Sequence, residues 1–165
     1  MAKSNVRLNY DELIKLKEQI MLFGDYTKMD QFFESCAKEL AARLLAKVIK
    51  RTPVGGYYID KKGVKRKIPN YVGGTLRRGW TGGNKSSATA YANSLTINKV
   101  GTDYVIDIIN PVEYASYVEF GHRTRNHKGW VEGQFMLTIS EDEIRRSAPT
   151  ILQKKLNDYL KGCFK

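Results

Sequence analysis

The stretch Thr27-Lys28-Met29-Asp30-Gln31-Phe32-Phe33-Glu34-Ser35-Cys36-Ala37-Lys38-Glu39-Leu40-Ala41-Ala42-Arg43-Leu44-Leu45-Ala46-Lys47-Val48-Ile49-Lys50-Arg51-Thr52-Pro53 decides the fold. Thr27 with Asp30 three residues on reads as a capping box, which opens a helix by satisfying its first free amides. Met29, Phe33, Cys36, Leu40, Leu44 and Val48 then recur at three- and four-residue intervals down to Ile49. That spacing draws one apolar stripe along about six helical turns. Lys38, Arg43, Lys47 and Lys50 occupy the other faces. Pro53 ends the helix, because proline has no amide to donate and disfavours helical geometry at Thr52. Cys36, on the stripe, reads as a small core residue.

A stripe of that length needs an apolar surface to lie on. Tyr91–Asn98 and Asp103–Asn110, joined through Lys99-Val100-Gly101-Thr102, read as the best β-hairpin. In the second strand Tyr104, Ile106 and Ile108 alternate with Val105, Asp107 and Ile109, so one face can be wholly apolar. A further helical segment begins at Phe135–Ile139. Ser147 is expected to cap a separate helix with Pro149 in its first turn, lined by Ile151, Leu152, Leu156 and Leu160 and ended by Gly162. The predicted class is α+β: a long N-terminal helix on a curved antiparallel β-sheet, with a C-terminal helix. Near the N-terminus, Asn9 and Glu12 form another capping box, and Leu13, Leu16, Ile20 and Phe23 share a face up to Gly24. This short helix, residues 1–26, reads as a peripheral arm of a single domain spanning 1–165.

Composition narrows the function classes. With 42% apolar and 27% charged residues, the chain is expected to be soluble and globular. No apolar run approaches a membrane span and the polar N-terminus does not resemble a signal peptide, so synthesis in the cytoplasm is expected. Cys36 and Cys163 are far apart without a CxxC pairing, so neither metal nor disulfide chemistry, nor any cofactor, is expected. The net charge of +11 favours polyanions as partners, nucleic acid first among them, although a merely solvated basic surface has the same signature.

That charge has one local concentration. Two short strand-like runs within Tyr57–Ile68 flank Asp60-Lys61-Lys62-Gly63 and predict a hairpin with a four-residue loop. Lys61, Lys62, Lys65, Arg66 and Lys67 against Asp60 give it a net charge of +4. It has no large apolar face and is therefore expected to project. With Tyr57, Tyr58 and Tyr71 nearby it could grip a phosphate backbone without reading sequence; the alternative is a solvated loop. Gly73-Gly74-Thr75-Leu76-Arg77-Arg78-Gly79-Trp80 follows as a turn with about one helical turn, and its glycines match neither GxGxxG nor a P-loop.

The run Asn110-Pro111-Val112-Glu113-Tyr114-Ala115-Ser116-Tyr117-Val118-Glu119-Phe120-Gly121 concentrates aromatic rings and carboxylates. Tyr114, Tyr117 and Phe120 are spaced to share a face of a short helix, which implies packing in the core or at an interface. Glu119, between two apolar residues, needs a partner: Arg77, Arg78, Arg123 or backbone amides. Glu113 and Glu119 are placed on different faces and do not form a cooperating acid pair. His122 and His127 lie in the following basic loop without HExxH geometry. A nuclease site of Glu119, His122 and His127 is the one enzymatic arrangement available, and a non-enzymatic protein is the expectation.

Three ordered motifs carry a family resemblance. Thr52-Pro53-Val54 followed by Gly74-Thr75-Leu76-Arg77 and Trp80 resembles a TPV run followed by T-G-x-L-R-x-x-W, with Gly74 and Thr75 in reversed order. Val112 to Gly121 resembles a V-E-Y-A-x-Y-V-E-F-G signature, and Gly129-Trp130-Val131-Glu132-Gly133-Gln134-Phe135-Met136 resembles G-W-V-x-G-x-F-M. The chain from about 30 to 160 is similar to the neck, or tail-completion, proteins of tailed bacteriophages, the HK-ninety-seven gene-product-ten-like family. The resemblance implies a structural virion protein at the head–tail junction. It would act as a six- or twelve-fold ring with neighbouring connector, head-closure and tail-terminator proteins. The fold it implies is a long helix, a curved antiparallel sheet and a C-terminal helix. On this reading Tyr114, Tyr117, Glu119, Phe120, Arg77, Trp80 and Trp130 serve packing or a subunit interface. Residues 55–73 are an insert relative to the family pattern. From their charge alone, Lys61, Lys62, Lys65, Arg66 and Lys67 are expected to touch the DNA in the ring's channel. A stand-alone basic nucleic-acid-binding protein is the alternative.

Overall fold

The computed structural model describes residue 14, residues 26–84 and residues 86–163. The predicted N-terminal arm apart from Ile14, its whole apolar face included, and Cys163's side chain lie outside what is described. The fold is α+β, built on two long helices, α1 (Tyr26–Arg51) and α5 (Met136–Cys163). Between them come the strands β1 (Tyr57–Ile59) and β2 (Lys65–Lys67), and the short helices α2 (Thr75–Gly79) and α3 (Ala88–Ser94). They are followed by β3 (Asn98–Val100), β4 (Asp103–Val105), α4 (Ala115–Phe120), β5 (Gly121–Arg123) and β6 (Trp130–Glu132).

Helix α1 spans its predicted length, starting one residue before Thr27, and its stripe is the core. Met29, Phe33, Cys36, Leu40, Leu44 and Val48 are all buried. A second buried column, Phe32, Ala37, Ala41 and Leu45, widens the stripe. The alanines that sequence periodicity passes over are the positions where another element can approach closely. α3 does so through the fully buried Ala92. Burial also raises the Cys36 thiol to about 11, so it stays protonated.

Helix α5 returns antiparallel to α1, and a seam of polar contacts records the register. Arg51 donates to Ser140 Oγ at 2.6 Å and to Glu143 at 2.8 Å, and Lys47 meets Glu143 at 2.7 Å. Farther along, Lys155 bridges the Ser35 carbonyl and Glu39. The Phe32 and Tyr159 rings then meet with centroids 4.6 Å apart. Ile144, Ala148 and Leu152 of α5 enter the core between these contacts.

The expected two helices are one. Ser147 does not cap a new helix; its hydroxyl donates back to the Glu143 carbonyl at 2.9 Å. Pro149 sits inside α5 at an exposed position. It has no N–H to donate to the Arg145 carbonyl, and on this solvent face water can supply the missing donor. A proline stops a helix only when nothing outside the helix holds the two halves in line. Here Ile144, Ala148 and Leu152 do.

The antiparallel sheet is realised as three separate two-stranded ribbons, β1–β2, β3–β4 and β5–β6. The predicted strand Tyr91–Asn98 is overturned over most of its length: Ala88–Ser94 is helical. Ser87 caps it, its hydroxyl accepting from the Ala90 amide at 3.1 Å, and alanines at 88, 90 and 92 favour helix. Only Asn98–Val100 remains strand, pairing Asn98 with Val105 and Val100 with Asp103. Tyr104 stacks on Phe33 and donates to Asp30 at 2.6 Å, joining this ribbon to the start of α1. Burial and the Asp30 charge push the Tyr104 hydroxyl's pKa upward. The strand expected to run to Asn110 ends at Val105, yet Ile106 and Ile108 beyond it are buried, as their alternation predicts.

Candidate functional site

Helix α1 ends in a hub that joins the two halves of the first motif. The Thr52 hydroxyl donates to the Val48 carbonyl at 2.6 Å and accepts from Trp80 Nε1 at 2.8 Å. The Thr52 carbonyl, left without a helical donor by the chain's turn at Pro53, accepts from Arg77 Nε and Nη2 at 3.2 and 2.6 Å. Arg77 and Trp80 therefore serve packing within the chain, and Trp80 is buried. One turn away, buried Asn110 donates to the Leu76 carbonyl at 2.9 Å and accepts from the Val112 amide. Gly79 is required there: a Cβ on it would lie 2.1 Å from Asn110 Oδ1.

Asn110 thereby fixes the entry to α4, and Glu119 fixes its exit. The Glu119 carboxylate accepts from the Leu137 amide at 2.9 Å, the Thr138 amide at 2.9 Å and the Thr138 hydroxyl at 2.8 Å. These are free donors at the N-terminus of α5, where the helix dipole also favours a negative charge. Glu119 is a remote cap for the 28-residue helix, held from a different element. Of the two partner types expected, backbone amides are realised. Arg77 and Arg78 go instead to the Thr52 and Gly73 carbonyls. The Glu119 and Val118 carbonyls accept from the Phe135 and Gln134 amides as well. Sequence reasoning missed this cap because the partners lie 18 and 19 residues away with no side-chain signal except Thr138.

With both ends pinned, α4 points its aromatic residues outward. Tyr117 is 58% exposed, Phe120 56% and Trp130, on β6, 55%; Tyr114, Val131, Phe135 and Ile139 are exposed as well. Among the described residues none buries Tyr114, Tyr117 or Phe120 in the core. Tyr117 lies edge-on to the His122 ring, whose Nδ1 is buried with no hydrogen-bond partner among the described residues. Tyr114 and Val118 turn toward a groove of about 290 Å³ shared with Pro53, Val54, Tyr71 and Leu76.

Both Glu119 oxygens are committed to the first turn of α5. Among the described residues no group of three His, Cys, Asp or Glu side chains could hold a metal ion.

The basic hairpin forms where expected. Tyr57 pairs with Lys67, Tyr58 with Arg66 and Ile59 with Lys65. The loop runs Asp60–Val64 and closes through Gly63, at φ 76°, with the Gly63 amide donating to the Asp60 carbonyl. Asp60 Oδ1 accepts from the Lys62 and Val64 amides, both at 2.9 Å, and Oδ2 from Arg66 Nε at 2.9 Å. These bonds, the Val64 amide foremost, lower the Asp60 pKa. Lys61, Lys62, Lys65, Arg66 and Lys67 are all exposed.

Comparison with known proteins names the class: the family model described as "Bacteriophage HK97-gp10, putative tail-component" matches residues 14–121. The chain belongs to this HK97-gp10-like family of bacteriophage tail components. The match includes the first two motifs and the hairpin, and stops short of the third at Gly129–Met136. No curated protein and no solved structure gives a significant match. No described helix is long and apolar enough to cross a membrane.

Proposed function

We propose that the protein is a non-enzymatic component of the virion head–tail connector, acting as a homo-oligomeric ring around the DNA channel. The observation that carries the ring is the face of Tyr117, Phe120 and Trp130, each more than half exposed. It stands on a backbone that Asn110 and Glu119 hold rigid from both sides. Aromatic side chains left outward on a stiff frame are what subunit interfaces are enriched in. A heterologous contact between copies closes into a ring when its rotation closes. In this reading neighbouring connector, head-closure and tail-terminator proteins meet the ring's two rims, and the DNA inside is held without base recognition. Membership in a tail-component family supports the setting.

The test is assembly. Sedimentation and negative-stain microscopy of the purified protein should show six- or twelve-fold rings, and Phe120→Ser with Trp130→Ser should leave folded monomers. A wild-type protein that stays monomeric at tens of micromolar overturns the ring. A monomer that also prefers particular DNA sequences identifies a stand-alone nucleic-acid-binding protein instead.

A further inference from the structure

The insert between Gly55 and Gly73 leaves the body and returns to it at one point. A Cβ on Gly73 would sit 2.2 Å from the Gly55 carbonyl oxygen, and one on Gly56 would sit 2.6 Å from the Tyr71 ring. Glycine at this neck lets the two chain ends touch, so the ribbon beyond it stands clear of the core. Directly opposite residues in an antiparallel pair share a face. Tyr57 and Lys67 are opposite, and Lys65 Nζ lies over the Tyr57 ring at 4.8 Å. Lys65, Lys67 and the exposed Tyr57 therefore make one face, and the exposed Lys61 and Lys62 lie in the turn at the tip.

The charges on this face are unequally engaged. Asp60, the insert's one acidic residue, spends one oxygen on the turn amides and the other on Arg66. Lys61, Lys62, Lys65 and Lys67 pair with no carboxylate among the described residues. The residue suited to reading a base edge, an arginine with its planar fork, is the one tied back. The four left are lysines, mobile point charges on flexible stems, which suit a row of phosphates and carry no sequence information.

We infer that the ribbon Tyr57–Lys67 is a self-contained binding site for the phosphate backbone of duplex DNA. Lys61, Lys62, Lys65 and Lys67 make the contacts, and Asp60 with Arg66 holds the turn that presents them. The inference does not need the ring: a monomer presents the same face.

The measurement is fluorescence anisotropy of a labelled random-sequence duplex titrated with the full-length protein over a range of salt. Neutralising up to four phosphates predicts a slope of log affinity against log salt with a contribution of about −3 to −4 from this ribbon. Replacing Lys61, Lys62, Lys65 and Lys67 together by Ser should weaken binding at least about tenfold at 0.1 M salt and flatten the slope by about 3. Thermal unfolding and sedimentation should match the wild type, showing that fold and assembly are intact. Replacing residues 55–73 by a Gly-Gly link should do the same, as the neck geometry allows. Shuffling the duplex sequence should change nothing. An unaltered slope in the folded four-lysine variant overturns the inference. Poly-glutamate competing as well as duplex at equal charge overturns it too, since the partner would then be an acidic protein surface. A failure of ring assembly with DNA binding intact refutes only the ring.

Discussion

Helix α4 and the β1–β2 ribbon are similar in size and both present exposed side chains, yet they are held in opposite ways. α4 is placed by partners distant in sequence: Asn110 bonds to Leu76, and Glu119 to the first amides of α5. The ribbon is held by its own residues, through its strand pairing, the Asp60 turn and the glycine neck. A surface that must keep a fixed geometry toward a neighbouring subunit needs the first kind of support. A surface that must follow an irregular polyanion needs only the second.

The largest expected effect tests the first half of that contrast. Glu119→Ala removes three acceptor contacts at once and leaves the buried Leu137 amide and the half-buried Thr138 amide without partners, a cost of about 2–4 kcal/mol. For a chain of this length that lowers the melting temperature by roughly 5–15 °C in calorimetry. Glu119→Gln, which keeps one acceptor oxygen, should lose about half as much. If Glu119→Ala melts like the wild type, α4 is not pinned to α5 and the contrast fails.

Next in size is the hub. Thr52→Val keeps the shape but leaves Trp80 Nε1 unpaired in the core, for a loss of about 1–2 kcal/mol, read from chemical denaturation. DNA affinity should not change, because the ribbon does not depend on the hub. A parallel loss of DNA binding would show that the two regions are coupled.

The smallest effect on the whole molecule comes from the ribbon. Asp60→Asn should leave the melting temperature unchanged within error while the Val64 and Lys62 amides exchange faster with deuterium. A fall in global stability would mean that the ribbon is part of the core unit.

Acid separates the regions further. The Asp60 pKa is lowered on folding by its turn bonds, Glu143's by Lys47 and Glu39's by Arg43. A carboxylate with a lowered folded pKa contributes stability above its unfolded value, near 4, and loses it as pH falls through the folded value. Below about pH 4 the ribbon turn and the α1–α5 seam should therefore loosen together. Cross-strand contacts of the ribbon seen by NMR should vanish, while far-UV circular dichroism retains α1 and α5, whose apolar contacts do not titrate. Ribbon contacts that persist to pH 2 would mean that Asp60 does not hold the turn.

Sequence alone was informative where the controlling interactions are close along the chain. α1 could be read from its stripe and Pro53, and the ribbon from its turn residues. The exposed role of the lysines followed from the lack of an apolar face. The failures share a cause. Tyr91–Ser94 looked like strand as the hairpin partner of Asp103–Asn110, although a serine cap and three alanines, whose small size matters only once α1 lies against Ala92, make it helix. Pro149 looked like a boundary because the force keeping α5 continuous comes from the core beneath it. Tyr117 and Phe120 share a helical face as spaced, yet periodicity cannot say whether that face turns inward or out.

What the sequence by itself determined was the set of elements whose stability is local or periodic, together with the family and a basic hairpin. Tertiary structure alone decided that Glu119 caps α5 and that Thr52 gathers Arg77 and Trp80. It also decided that the aromatic residues of α4 are left uncovered. The physical reason is that a buried carboxylate or a free helix amide must find a partner, and which partner it finds depends on which distant segments the core brings within 3 Å.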